Sequence, residues 1–470
     1  MFKDSNRYQS VQGINDLNDL ANNRELIGEF FRTVKIKISI SPINDGDSIK
    51  KSVDNDHAQQ YTITGLSIEK DTMDESNPLY KEVVQVVNML SERIRAVDIN
   101  QKIKQLIDKN TRYKELKQDL ENVLRHNKSS MYNSEWSVFY LLKEFFQCIK
   151  GNPERTVYYR GQSHDWEVVP GVIRPGVDQS YAREFEEVYH NLAFEFEDID
   201  YIGLNKDMTL ENQERRAQNI ALLQHFNLLT PYVDITSNEF IAMFFMIDSG
   251  EINKPCIDII FPDNDKGDNK KSLVQKAPTS HQNIRLSAQK GSFLNFEKTL
   301  VNDSITKVDR IRLIIDYDVH SHIDTMNQER NDLGKKAHQF GDLIKSMSED
   351  GNIDETKLEI LLQSKVSEID AKLKKLIRLE HDSPEQDTSI QSQLSDAFSE
   401  NFKYSRELSM LKINRNKLFS NLKDEIERKL AEFRYTSAEI YPDLPNRLSS
   451  IKTKYSKPAN QKRIVSLDKN

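Results

Sequence analysis

Apolar and polar positions recur with different periods along this chain, and the changes of period divide it into segments. Lys35-Ile36-Lys37-Ile38-Ser39-Ile40 alternates with period two, the pattern of a strand with one buried face. Tyr61-Thr62-Ile63-Thr64 supplies a partner strand, and Asn44-Asp45-Gly46-Asp47 between the two reads as a turn. From about residue 77 to 127 the period lengthens: Val83, Val86, Val87, Leu90 and Ile94 fall three and four apart, followed by Ile99, Ile103, Leu106 and Ile107, then Leu116, Leu120 and Leu124. That spacing predicts helices with one core-facing stripe. These stripes are packing surfaces and carry no chemistry.

The next segment mixes both periods. Trp136, Phe139, Tyr140, Leu141, Leu142, Phe145 and Phe146 predict a strongly apolar helix that ends near Gly151-Asn152-Pro153. Val157, Tyr158 and Tyr159 are strand formers. Helices are expected from about Tyr181 to Asp198 and from Leu210 to Phe226. The short apolar runs Cys256 to Phe261 and Ile311 to Ile315 predict buried strands, with residues 263–272 an exposed loop.

Further on, Leu362, Val366, Ile369, Leu373 and Leu376 step by four and three, as a coiled-coil seam does. Leu411, Leu418, Leu422, Ile426 and Leu430 suggest a second long helix, and the polar, proline-marked HDSPEQDTSIQSQLSD lies between. An antiparallel helical hairpin is the simplest geometry. The predicted organisation is a polar N-terminal region with a β-hairpin (1–75), a helical region (76–132), a mixed domain (133–324), an inserted helical hairpin (325–430), a closing segment (431–455) and a disordered tail (456–470). The fold class is α+β.

Composition narrows the function classes. With 470 residues the chain has room for two to four domains. Its net charge of -8 argues against a chain-wide nucleic-acid footprint and leaves a local basic groove open. Cys148 and Cys256, in no metal spacing, predict neither a disulfide framework nor a metal site. The N-terminus lacks the apolar stretch of a secretory signal, and no apolar run nears the roughly 20 residues of a membrane span. A soluble, cytoplasmic protein without a membrane partner is expected. No P-loop, GxSxG, HExxH or glycine-rich dinucleotide fingerprint occurs.

Chemistry concentrates in Tyr158–Arg174, YYRGQSHDWEVVPGVIR. A guanidinium at a strand end beside a glycine can clamp phosphate or carboxylate bidentately, and it can equally pair with a carboxylate to hold a turn. The residues of Arg160 and Gly161 leave both readings open. Trp166 reads either as a stacking platform or as core. His225 and Asp234 flank one loop and read as an acid/base pair, or as a helix cap and a strand anchor. Phe240, Phe244 and Phe245 sit at helical spacing and read as core.

The same stretch resembles the opening motif of the FRG domain, a family named for an aromatic-Arg-Gly tripeptide. Tyr159, Arg160, Gly161, Gln162, Trp166, Pro170 and Arg174 match it. A second block is matched by Gln224, His225, Phe226, Thr230, Asp234, Thr236 and the helix with Ala242, Phe244 and Phe245. A third is matched by Gln289, Gly291 and Phe293, and a closing one by Tyr441, Pro442, Asp443 and Leu444. Asn227, Pro231 and Ile235 depart from the usual Gly, Arg and Trp.

A weaker resemblance is to ADP-ribosyltransferases of the Arg-Ser-Glu type, with Tyr159-Arg160 on a first core strand and Val233–Phe245 as the hydroxyl-bearing second element. It implies NAD as cofactor, with Arg160 on the pyrophosphate, Gly161 admitting the ligand, and Thr236 and Ser237 near the nicotinamide ribose. Gln289 stands where such enzymes present a Glu, and Glu297 lies eight residues beyond. On this resemblance the catalytic candidates are Arg160, His225, Asp234 and Gln289. The cofactor candidates are Tyr159, Arg160, Gly161, Gln162, Trp166, Arg174, Thr236 and Ser237. The implied activity is ADP-ribosyl transfer by a toxin or phage-defence effector, to an acceptor that is protein, nucleic acid or small molecule. Two further readings stay open: a non-catalytic nucleotide-binding or sensing domain, and a coiled-coil scaffold that assembles through the hairpin and recognises a protein partner.

Overall fold

The alternation around Lys35–Ile40 extends over a strand of 12 residues, because Val34, Ile36, Ile38 and Ile40 bury one continuous branched face. The chain is described here by a computed structural model, over residues 10–11, 25–42, 61–69, 72–109, 137–151, 155–262, 272–276, 284–302, 305–319, 355–382 and 388–443. The 44–47 turn, Trp136, the 116–124 stripe, the loop 263–271, residues 320–354 and the tail lie outside those residues.

The strands of the main sheet are β1 (Phe31–Pro42), β2 (Tyr61–Glu69), β3 (Tyr158–Gln162), β4 (Tyr232–Thr236), β5 (Cys256–Phe261), β6 (Val274–Lys276), β7 (Gly291–Asn295) and β8 (Val308–Tyr317). They form one mixed sheet in the order β2-β1-β8-β5-β3-β4-β7-β6. β8 runs parallel to β1, and the other neighbours are antiparallel. The expected partner of β1 is therefore β2, which pairs with it through a bulge at Ser39/Ile40.

The main helices are α1 (Pro78–Lys109), α2 (Val138–Lys150), α3 (Tyr181–Glu195), α4 (Leu210–His225), α5 (Glu239–Ile247), α6 (Glu355–Asp382) and α7 (Thr388–Glu432). On one sheet face α1, α2, α5 and part of α7 bury Ile36, Ile38, Tyr159, Ile257, Ile259 and Leu313. On the other, α3 and α4 cover Tyr158, Tyr232, Ile260 and Phe293. The architecture is α+β.

β4 and β5 both run antiparallel to β3, hence parallel to each other, and α5 is the crossover that joins them over β3. This explains Gly161. A Cβ there would fall on the backbone of Ala242 and 2.7 Å from the Met246 nitrogen. The bare glycine lets α5 pack directly on the strand. The side on which a side chain would stand faces this helix, whereas the resemblance implies a ligand beside Gly161.

The hairpin forms with its seam as spaced. Arg415 reaches Glu355 and Glu359 at 2.8 and 2.9 Å, and Asn401 reaches Asp370 at 2.6 Å, so α6 and α7 run antiparallel. Leu362, Ile369, Leu373 and Leu376 share the core with Leu394, Ala397, Tyr404 and Leu411. Two features differ from expectation. α7 begins at Thr388, so most of the polar linker is helical, with Leu394 anchoring the added turns. Leu418, Phe419, Leu422, Ile426 and Leu430 are buried with the sheet, so the lower part of α7 is domain core and not a projection.

Candidate functional site

The site begins where the sheet opens. β3 pairs along its length with β5 but meets β4 through one register pair, Tyr159 with Thr236. Beyond it the strands part, and Arg160 bridges the gap: its Nη1 donates to the carbonyl of Asp234 at 2.7 Å.

Arg160 shares its sheet face with Tyr158 and Gln162, because alternate strand residues point the same way. Lys35, Arg312, Asp258 and Arg160 stand in register across β1, β8, β5 and β3. Asp258, fully buried, accepts two bonds from Arg312 at 2.7 and 2.9 Å. Arg312 also donates to Asp165 at 2.9 Å and to the Trp166 carbonyl at 3.0 Å. Arg310 donates from Nε to Thr33 at 3.0 Å and lies over the Phe31 ring. Burial alone raises the pKa of Asp258, but the guanidiniums of Arg312, Arg310 and Arg160 hold it below the ordinary carboxylate value. Burial lowers that of Arg160; Asp234 opposes the shift and nearby Arg174 adds to it. An anion would ease both the desolvation of Arg160 and its repulsion by Arg174.

A cleft of about 1400 Å³ opens over this charged row. Its walls are the end of α4, the loop through Asp165 and Arg174, and the short helix Ile284–Ala288. Lys35, Arg160, Arg174, Arg285 and Arg310 line it against Asp165, Glu167 and Asp234, a cationic surplus in a chain of net charge -8. Tyr159, Arg160, Gly161, Gln162, Trp166, Arg174, His225, Asp234, Thr236 and Gln289 all border the cleft; Ser237 does not.

Their roles separate on closer geometry. Tyr159 is core, with its ring edge-on to Phe146 on the opposite face of the sheet. Thr236 donates to the Gln289 carbonyl at 2.7 Å and accepts from the Asn238 amide, while Asn238 caps α5 through Phe240 and Ile241. Ser237 is tied to the Lys290 carbonyl. Both hydroxyls are thus engaged by the turn before β7. Gln289 donates to the Ile440 carbonyl at 3.3 Å, which draws the closing segment to the cleft. Tyr441 continues that contact, bonding Asp248 and lying under the Arg285 guanidinium.

The expected His225–Asp234 pair does not form. Asp234 accepts from Gln224 at 2.6 Å, and Gln224 accepts from Thr230. His225 instead lies near Arg285 and Asp443; burial, then Arg285, lowers its pKa against the pull of Asp443, which favours neutral imidazole. Glu297 is no cleft group either. It is buried, doubly bonded to Arg216 at 3.0 and 2.6 Å, and Arg216 also holds Glu186. Trp166 is 55% exposed and stacks flat on His164 with ring centres 4.4 Å apart, so it is a platform at the rim and not core.

The sealed polar atoms without a hydrogen-bond partner among the described residues include, on cleft residues, Arg160 Nε, Gln162 Oε1 and His225 Nδ1. Native folds leave few such atoms, and each calls for an explanation such as a bound water, an ion or a ligand. Sequence reasoning missed Asp258, Arg310, Arg312 and Arg285. A signal existed for three of them: a lone acid inside CIDIIF, and period-two arginines in DRIRLIID, both improbable in buried strands unless they pair.

Residues 155–254 match the family model of the FRG domain. The match runs from just before β3 to just before β5, so the chain carries an FRG domain there, with the Gln289 and Tyr441 blocks outside the matched stretch. No curated protein and no solved structure matches the chain. No described helix is long and apolar enough to cross a membrane.

Proposed function

We propose that this FRG-domain chain binds NAD in the cleft and uses it as the donor in an ADP-ribosyl transfer. The observation that carries the reading is the trio of unpartnered buried atoms, on Arg160, Gln162 and His225, around one cation-rich cleft. Arg160, helped by Arg174, takes the pyrophosphate, since a planar guanidinium fits two phosphate oxygens at once. Trp166 offers its exposed face for stacking. In the transfer, the bond between ribose C1′ and the nicotinamide nitrogen breaks, and nicotinamide leaves with the electron pair. The ribosyl cation then bonds to an acceptor nucleophile, which gives up its proton. Asp234, exposed in the cleft and oriented by Gln224, is the carboxylate suited to stabilise that cation. Neutral His225 is suited to take the proton. The acceptor is a protein, nucleic acid or small molecule, and a NAD-consuming transferase of this kind would serve as a toxin or phage-defence effector. Release of free nicotinamide from NAD by the purified chain with cell extract, lost in Asp234→Asn, tests the transfer.

One observation favours a second reading, a nucleotide-binding domain without chemistry. Thr236, Ser237 and Gln289 spend their polar groups on the fold, and Glu297 is locked to Arg216. NAD binding with no nicotinamide release would select it.

A further inference from the structure

Gln162 is the least explained side chain of the cleft. It is 8% exposed, yet its amide makes no hydrogen bond to any described residue, and Oε1 is sealed from solvent. It closes β3, in register with Cys256, two residues from Arg160 on the same sheet face. Side chains so related stand about 6.6 Å apart along a strand. Arg160 and Gln162 both line the cleft, and each carries a sealed atom, the Nε donor and the Oε1 acceptor, with no hydrogen-bond partner among the described residues.

Arg160 explains an anion and nothing more. An amide differs, because it carries an acceptor and a donor next to each other and demands the complementary pair. We propose that Gln162 is the specificity-determining residue of this cleft, pairing through its amide with an adjacent donor–acceptor edge on a phosphate-bearing ligand. The inference rests on the NAD reading above. NAD offers such edges at N6 and N7 of adenine, the pair an amide reads, and at the carboxamide of nicotinamide. Guanine presents two acceptors, O6 and N7, along that same N7 edge, and nicotinic acid offers two in place of the carboxamide. An unpaired buried amide would reject either replacement, because mismatched polar groups in a desolvated site stay unbonded.

Calorimetric titration separates the cases, with NAD, nicotinamide guanine dinucleotide and nicotinic acid adenine dinucleotide added to wild type, Gln162→Ala and Gln162→Glu. Wild type should bind NAD about ten- to a hundredfold more tightly than one analogue. That analogue is the guanine one if Gln162 reads the base and the nicotinic acid one if it reads the carboxamide. Gln162→Ala should lose the same factor on NAD and bind the disfavoured analogue as wild type does. Gln162→Glu, nearly isosteric but lacking the donor, should also lose NAD affinity. Melting temperatures should match wild type, since Gln162 gives up no bond to the described residues. Equal wild-type affinity for all three dinucleotides, or Gln162→Ala with unchanged NAD affinity, overturns this inference alone. A wild type that binds none of the three overturns the NAD reading and this inference with it.

Discussion

Arg160 stands directly opposite Asp258 across β3 and β5, yet no hydrogen bond joins them. Both carboxylate oxygens of Asp258 go to Arg312 on the other side. The hydrogen bonds of Asp258 thus go to Arg312, and among the described residues Arg160 donates only to the Asp234 carbonyl. This asymmetry leaves the Arg160 guanidinium beside the cleft, where the proposed anion would sit.

Asp258→Asn should therefore damage the fold more than the site. It leaves the buried Arg312 without its full counter-charge, and removing one partner of a buried pair costs about 3–5 kcal/mol. Chemical denaturation should show that loss, while any NAD affinity that survives in the folded fraction should be undiminished, because a nearby negative charge has gone. A variant as stable as wild type would contradict the pairing described.

Gly161→Ala distinguishes a packing glycine from a ligand-contact glycine. The added methyl meets the α5 backbone, which cannot yield as a side-chain tip could. Overpacking of this kind costs about 1–3 kcal/mol or more. A lower melting temperature without ligand is the expected result; an unchanged melting temperature with lost binding would return Gly161 to the ligand.

Glu425 on α7 gives a pH-dependent test of how the hairpin is rooted. It is buried and bonded to Tyr61, whose hydroxyl also accepts from the Val138 amide at 3.1 Å, linking α7 to β2 and α2. Burial raises its pKa, and hydrogen bonds from Ser137 and Tyr61 only moderate the rise. Because the folded pKa lies above the unfolded one, its stabilising contribution is complete below the unfolded value of about 4.3 and fades as pH rises through the folded value. Glu425→Gln should gain stability relative to wild type on going from pH 4 to pH 8. A difference independent of pH would mean that Glu425 ionises in the fold as it does in the unfolded chain.

Removing only the distal hairpin, residues 363–407 replaced by a short Gly-Ser turn, should leave the domain folded and NAD binding intact. The deletion keeps Leu411, Leu418, Leu422, Ile426 and Leu430 of α7, which share a core with the sheet, and the cleft contacts of the closing segment lie beyond α7. If the hairpin drives self-association, as its exposed Phe398 and Phe402 suggest, light scattering should report a smaller particle. An unchanged association state would leave the hairpin as an internal brace.

The elements were legible because their periods are clean: β1, α2, β5 and the α6 seam follow directly from residue spacing. The motif blocks also meet as their order implies, since β3, β4 and the turn before β7 are neighbours. Individual roles were less legible. Gly161, Thr236 and Ser237 carry residue types that suit a ligand, but the crossover of α5 over β3 and the turn at Gln289 claim them first. That competition is tertiary and leaves no trace in local sequence. The ladder of Lys35, Arg312, Asp258 and Arg160 depends on register between strands far apart in the chain, which spacing within any one strand does not encode.

The central proposal is that Arg160 holds an anion in the cleft, and titration of NAD into wild type, Arg160→Lys and Arg160→Met tests it most directly. The account predicts saturable heat with wild type and little with Arg160→Lys, because an ammonium cannot replace the guanidinium fork. Arg160→Met should give no heat at all while keeping a melting temperature close to that of wild type, since the side chain gives up one exposed hydrogen bond, to the Asp234 carbonyl. No heat with wild type, or NAD binding by Arg160→Met equal to that of wild type, would contradict it.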